Sequence, residues 1–186
     1  MTSEHQILLL NIARGAIAAE LDIDYPAVAE IPAQLGEAGA SFVTLKLNGS
    51  LRGCIGMLEA CRPLCQDVAA NAVAAAFNDP RFSPLSNGEF AGVHISISVL
   101  SAPEEISFNS EDDLLQQIRP AIDGLILQYG RQRGTFLPSV WDELPHKQLF
   151  LAHLKQKAGL PANFWSEQLR VWRYTSEYFG ENGYVV

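Results

Sequence analysis

An arginine, two glycines and a cysteine stand together in Leu51-Arg52-Gly53-Cys54-Ile55-Gly56, and this short run holds the side chains best suited to chemistry. In a strand, Arg52 and Cys54 would project to one face with Cα atoms about 6.5–7 Å apart. A guanidinium at that range favours thiolate over thiol, and the thiolate is the nucleophilic form. Arg52 and Cys54 are therefore the candidate catalytic pair. Gly53 and Gly56 weaken a strand, which a closely approaching ligand or backbone, or a bulge, would explain, so both are candidate ligand-binding positions. A plainer alternative gives all six residues to packing: a small buried thiol, an arginine exposed or paired with a carboxylate, and glycines that admit a helix.

A second candidate is Arg81 in Asp79-Pro80-Arg81-Phe82, whose planar fork could bind a carboxylate or phosphate of a ligand. Its structural alternative is an ion pair with Asp79 or Glu89 that stiffens a loop anchored by Phe82. His94 could serve Cys54 as a proton shuttle only if their strands are neighbours. His146 and His153 lack the Glu-x-x-His companion of a metal site. Cys54, Cys61 and Cys65 follow a C-x6-C-x3-C spacing that matches neither paired C-x2-C zinc ligands nor a common iron–sulfur motif, so no metal is expected there. Phosphate-loop, dinucleotide, zincin and serine-hydrolase motifs are all missing.

The elements that must position these groups are legible from periodicity. Apolar residues at near-helical spacing predict a helix over residues 4–21, and Pro26, Pro32, Gly36 and Gly39 then mark a connector. Residues 41–47 and 51–58 are two apolar-rich runs joined by Asn48-Gly49, the strongest short hairpin signal because both residues tolerate positive φ. Pro63 opens a helix that runs to Asn78, with Leu64, Val68, Ala72 and Ala76 on one stripe. Residues 81–92 read as a loop with a turn near Asn87. Period-two alternation from His94 to Val99 predicts a strand with one core face and a second face carrying His94, Ser96 and Ser98. A short helix over 112–118, a hairpin around Arg131-Gln132, a helical turn at Pro138, a helix over 146–158 and a last strand over 169–178 complete the reading. Interleaved helices and two hairpins predict an α+β protein with a mixed, largely antiparallel sheet and packed helices, with no internal repeat.

A chain of 186 residues with 48% apolar composition suits a single domain, with no clear internal boundary beyond a small lobe. The net charge of −8 repels phosphate backbones and anionic membranes, so neither nucleic acid nor a membrane surface is an expected partner. Without a signal-peptide pattern, a long apolar run or a paired-cysteine framework, the expected location is cytoplasmic.

Four segments, Leu51-Arg52-Gly53-Cys54-Ile55-Gly56, Arg81-Phe82-Ser83-Pro84, Ser96-Ile97-Ser98-Val99-Leu100 and Phe136-Leu137-Pro138-Ser139-Val140, resemble in the same order the AMMECR family. Its bacterial and archaeal members are called protein A of the AmmeMemoRadiSam system. The resemblance runs from the first helix to about Tyr178, and the six-residue signature is its most specific part. It implies larger and smaller lobes around a cleft, with the signature as the site. It also implies an association with a Memo-type dioxygenase-like protein and a radical-SAM protein. It supplies neither reaction nor cofactor; His94, Cys61 and Cys65 stand outside the signature. Two functions follow as expectations: a cysteine-dependent enzyme or enzyme component acting on a small substrate, an anion being one option, or a non-catalytic binding or adaptor module for a partner enzyme.

Overall fold

The computed structural model describes residues 1–181. They form two compact units, one of Met1–Leu100 with the stretch from Glu177, the other of Ser101–Ser176. Each is helices packed on an antiparallel sheet, so the chain is α+β, with two sheets where the alternation pattern suggests one.

In the first unit α1 (Ser3–Glu20) starts where Thr2 accepts the His5 amide in its side-chain oxygen, satisfying an amide that has no partner within the helix. It buries Leu9, Leu10, Ala13 and Ile17 along one stripe. The strand β1 (Ala38–Leu47) turns at Asn48 and Gly49, both at positive φ (51° and 81°), into β2 (Ser50–Gly56). A two-residue pairing, β3 (Arg62–Pro63), then delivers the chain to α2 (Leu64–Phe77). Residues 81–92 are not all loop: α3 (Asn87–Phe90) is a single turn closed by a capping box between Ser86 and Glu89. The strand β4 (Val93–Leu100) pairs antiparallel with β1 along its whole length.

The sheet order is β2-β1-β4-β9, where β9 (Ser176–Gly180) is the last strand of the chain, so β2 is an edge strand. Val43, Leu45, Ile95 and Ile97 join α1 and α2 in one apolar cluster. Alanines at 72, 75 and 76 let α2 lie close to the sheet.

In the second unit, β5 (Glu104–Ile106), β6 (Gly124–Tyr129), β7 (Gln132–Phe136) and β8 (Arg170–Tyr174) form a sheet of order β5-β8-β6-β7. The β6–β7 turn falls at Gly130-Arg131, one residue earlier than expected, because Gly130 takes the positive φ of 58°. The helices α4 (Glu111–Gln117) and α5 (Lys147–Lys157) cover this sheet, and Trp141 stacks on Phe150 at 3.7 Å while donating its indole N–H to the Asp123 carbonyl. The final expected strand is two strands: Thr175 separates β8 from β9, and they belong to different sheets. No helix of the described residues is long and apolar enough to cross a membrane.

Candidate functional site

Cys54 lies in the edge strand β2 opposite Thr44. Its amide points away from β1 and donates to Asp79 Oδ2 at 2.9 Å, and its carbonyl accepts from Arg81 Nη2 at 3.3 Å. Cys54 and Thr44 are thus a non-hydrogen-bonded pair of the antiparallel ladder, the kind that brings opposing side chains closest. The result is a direct contact: the Thr44 hydroxyl donates to Cys54 Sγ at 3.3 Å. The thiol is half-buried, whereas Cys61 is exposed and Cys65 buried, and none of the three is bridged.

Asp79 and Arg81 come from the turn that ends α2. The Asp79 carboxylate is 2% exposed and accepts the Cys54 amide, the Arg81 amide, and Arg81 Nε and Nη2. The Arg81 side chain leads the causes that hold this carboxyl well below the usual carboxylate range, and the Cys54 amide follows. Asp79 in turn raises Arg81, with the Cys54 sulfur adding a smaller effect of the same sign. Arg81 remains 54% exposed and lies over the Phe82 ring. Of the two carboxylates that the sequence offers Arg81, Asp79 and Glu89, the arginine takes Asp79.

Arg52 has different neighbours. The β1–β2 register pairs Leu45 with Gly53 and Lys46 with Leu51, so Arg52 is the extra residue of a bulge, and the period-two spacing that groups it with Cys54 is interrupted at that residue. Its Nε and Nη2 donate to the two Glu89 oxygens at 2.8 and 3.2 Å, and Nη2 also reaches the Pro84 carbonyl. Nη1 is buried with no hydrogen-bond partner among the described residues. Arg52 first, then the Ser86 amide and hydroxyl, hold the Glu89 carboxyl down at about 2. The guanidinium that touches Cys54 directly is that of Arg81, through the backbone.

The two signature glycines have packing neighbours. A Cβ on Gly53 would stand 2.0 Å from the Ala75 carbonyl oxygen of α2, and one on Gly56 would stand 2.3 Å from the Phe42 ring and 2.5 Å from the Ser41 carbonyl. His94 is not beside Cys54. Strand β1 lies between β2 and β4, with Lys46 opposite His94, which puts the two strands roughly 10 Å apart. His94 Nδ1 instead lies 4.0 Å from Glu181.

The sequence pattern does not single out Thr44, offers Glu89 to Arg81 where the structure gives it to Arg52, and leaves unmarked a buried polar cluster beneath the same sheet. Asp67 Oδ2 accepts from the Ser41 amide, the Ser41 hydroxyl and Asn71 Nδ2, while Oδ1 accepts from Arg62 Nε. Ser41, Asp67 and Asn71 are all fully or almost fully buried. The available signal is a polar pair at i and i+4, Asp67 and Asn71, on the otherwise apolar stripe of α2. Among the described residues, no group of three or more His, Cys, Asp and Glu side chains is placed to hold a metal ion.

Residues 10–179 match the family model described as AMMECR1. A protein of Methanothermobacter thermautotrophicus is 36% identical over 185 residues, which cover 94% of this chain and 93% of that one. Protein MJ0810 of Methanocaldococcus jannaschii is 34% identical, with 97% and 92% covered, and Protein SSO0193 of Saccharolobus solfataricus is 39% identical, with 94% and 80% covered. Among solved structures, an uncharacterized protein of Pyrococcus horikoshii, PH0010, superposes with a TM-score of 0.85 at 33% identity, over 98% of this chain and 94% of the other.

Proposed function

This chain belongs to the AMMECR1 family, and from that premise we propose that it is an enzyme or enzyme component in which the Cys54 thiol is the reactive group toward a small substrate. The observation that carries this reading is the Thr44 hydroxyl donating to Cys54 Sγ beside a thiol that is neither sealed in the core nor bridged. The hydrogen bond donated to sulfur and the rigid ladder pairing aim the sulfur, so that no reorganisation is needed at the moment of attack. Arg52 acts as a positioning residue: through Glu89 and Pro84 it ties the 82–89 segment to the strand.

The charge balance narrows the substrate. Arg52 is matched by Glu89 and Arg81 by Asp79, so the motif presents no uncompensated cation. A neutral or singly charged substrate suits it better than a phosphate ester, with the exposed edge of Arg81 as its contact for one carboxylate or carbonyl.

A second reading is favoured by the glycines, whose packing contacts give a folding reason for the signature without any chemistry. There the family domain is an adaptor and Cys54 only packs. Alkylation kinetics decide between them. In a Cys61→Ser background, iodoacetamide is expected to modify Cys54 faster than a model thiol at pH 6–7, and Thr44→Val to slow it several-fold. A Cys54 rate at or below the model thiol throughout pH 5–9 refutes the reactive-thiol reading. The Memo-type and radical-SAM partners belong to the same proposal; Cys54→Ser should retain them in co-purification while turnover is lost.

A further inference from the structure

We propose that the second unit carries a binding site for an organic cation, an alkylammonium or guanidinium group. A cavity of about 530 Å³ opens there, lined among others by Glu105, Phe108, Asn109, Trp165, Glu167 and Arg170. That volume falls within the few-hundred to ~1,000 Å³ typical of sites for small molecules and side chains.

The walls choose the charge of the guest. Arg170 is the cavity's one basic side chain, and it is already spent: Nε and Nη2 donate to both Glu105 oxygens at 2.8 and 2.9 Å, and its guanidinium lies 4.7 Å from the Trp172 ring centroid. Glu105 is spent with it, held below its ordinary value by that same arginine. Glu167 is different. It is exposed, lines the cavity and has no ion pair or hydrogen bond among the described residues. The cavity therefore keeps one uncompensated negative charge, which disfavours anions and attracts cations.

The rings choose the kind of cation. Phe108 and Trp165 meet at 5.7 Å between centroids, tilted by 56°, and both stay half-buried while packing against the core of the unit. A ring face is electron-rich and draws a cation held within about 6 Å, and a ring wall covers an apolar stem. One carboxylate beside two rings offers too few oxygen ligands for a hydrated metal ion but fits a delocalised or alkylated cation well. Trp172 under Arg170 shows the same pairing already made internally on the neighbouring surface of the sheet.

The probes are n-butylguanidinium and its uncharged isostere n-butylurea, titrated calorimetrically into the full chain. Saturable binding of the guanidinium, at least about fivefold tighter than the urea and weakening with added salt, is expected. Glu167→Gln should weaken the guanidinium about threefold or more while leaving thermal unfolding unchanged, because the side chain is exposed and unpartnered. Equal affinity for the two probes, no saturable binding of the guanidinium, or an unaltered affinity in Glu167→Gln overturns the proposal. The blocked peptide acetyl-Gly-Arg-Gly-amide identifies the source of the cation: tighter binding than butylguanidinium points to an arginine side chain of a protein partner, equal binding to a free small molecule.

Discussion

Replacing Gly53 by alanine tests whether the signature is built around helix packing. The added methyl would lie 2.0 Å from the Ala75 carbonyl oxygen, and contacts under 3.0 Å are essentially never found, so α2 and β2 must separate by at least about 1 Å. Neither atom can escape by a rotamer change, since one is Cβ and the other backbone. Alanine restricts the unfolded chain and would by itself stabilise by about 0.4–1 kcal/mol. Overpacking of a well-filled interface costs about 1–3 kcal/mol and occasionally more, and a clash with rigid backbone belongs at the upper end. The net expectation is a loss of about 2 kcal/mol. For a chain of this size that lowers Tm by roughly 4–8 °C in a thermal melt followed by circular dichroism. Gly36→Ala is the matched control: nothing lies within 4 Å of its Cβ position, and its Tm should hold or rise slightly. A Gly53→Ala protein melting within about 1 °C of the parent would refute the packing account and return Gly53 to ligand approach.

Acid should weaken the first unit in a defined window. Glu89 is depressed from 4.5 to about 2 in the folded chain, so its contribution is full above pH 4.5 and is lost as pH falls toward 2; Asp79 acts in the same direction. Urea midpoints measured from pH 6 to pH 2 should therefore drop across that interval, and Glu89→Gln should flatten the drop while lowering the midpoint at pH 7, where Arg52 loses its carboxylate. In the buried polar cluster, Asp67→Ala strands the Ser41 amide and takes the carboxylate from Arg62, while Asn71 keeps its bonds to the Ser41 carbonyl and hydroxyl. A loss of about 3–5 kcal/mol is expected by chemical denaturation, and a change under 1 kcal/mol would show that the cluster is not a structural unit.

Much of the frame is legible in the sequence because local rules and tertiary packing agree. Asn48-Gly49 meets the positive-φ demand of its turn, and the stripes of α1, α2 and α5 place those helices to within a residue or two. The cap of α3 is also written locally, as Ser86 three residues before Glu89, but a single helical turn has too little periodicity to stand out from a loop. Other features depend on contacts far along the chain. The bulge at Arg52 is a property of two strands, and only it separates Arg52 from the regular alternation. The division at Thr175 reflects which sheet each half joins. For the site, Cys54 and Arg81 are visible as residue types at suggestive positions. Their link through Asp79 is not, because it needs the end of α2 to reach a strand 25 residues earlier.

That link also bears on how the molecule behaves in a crowded solution. An edge strand with free amides and carbonyls is a template onto which another chain can add, the first step toward swapped dimers and fibrils. At Cys54 both outward backbone groups of β2 are occupied by Asp79 and Arg81, so an incoming strand meets a charged plug instead of a ladder. The same two residues that frame the thiol thereby close this stretch of the edge to strand addition.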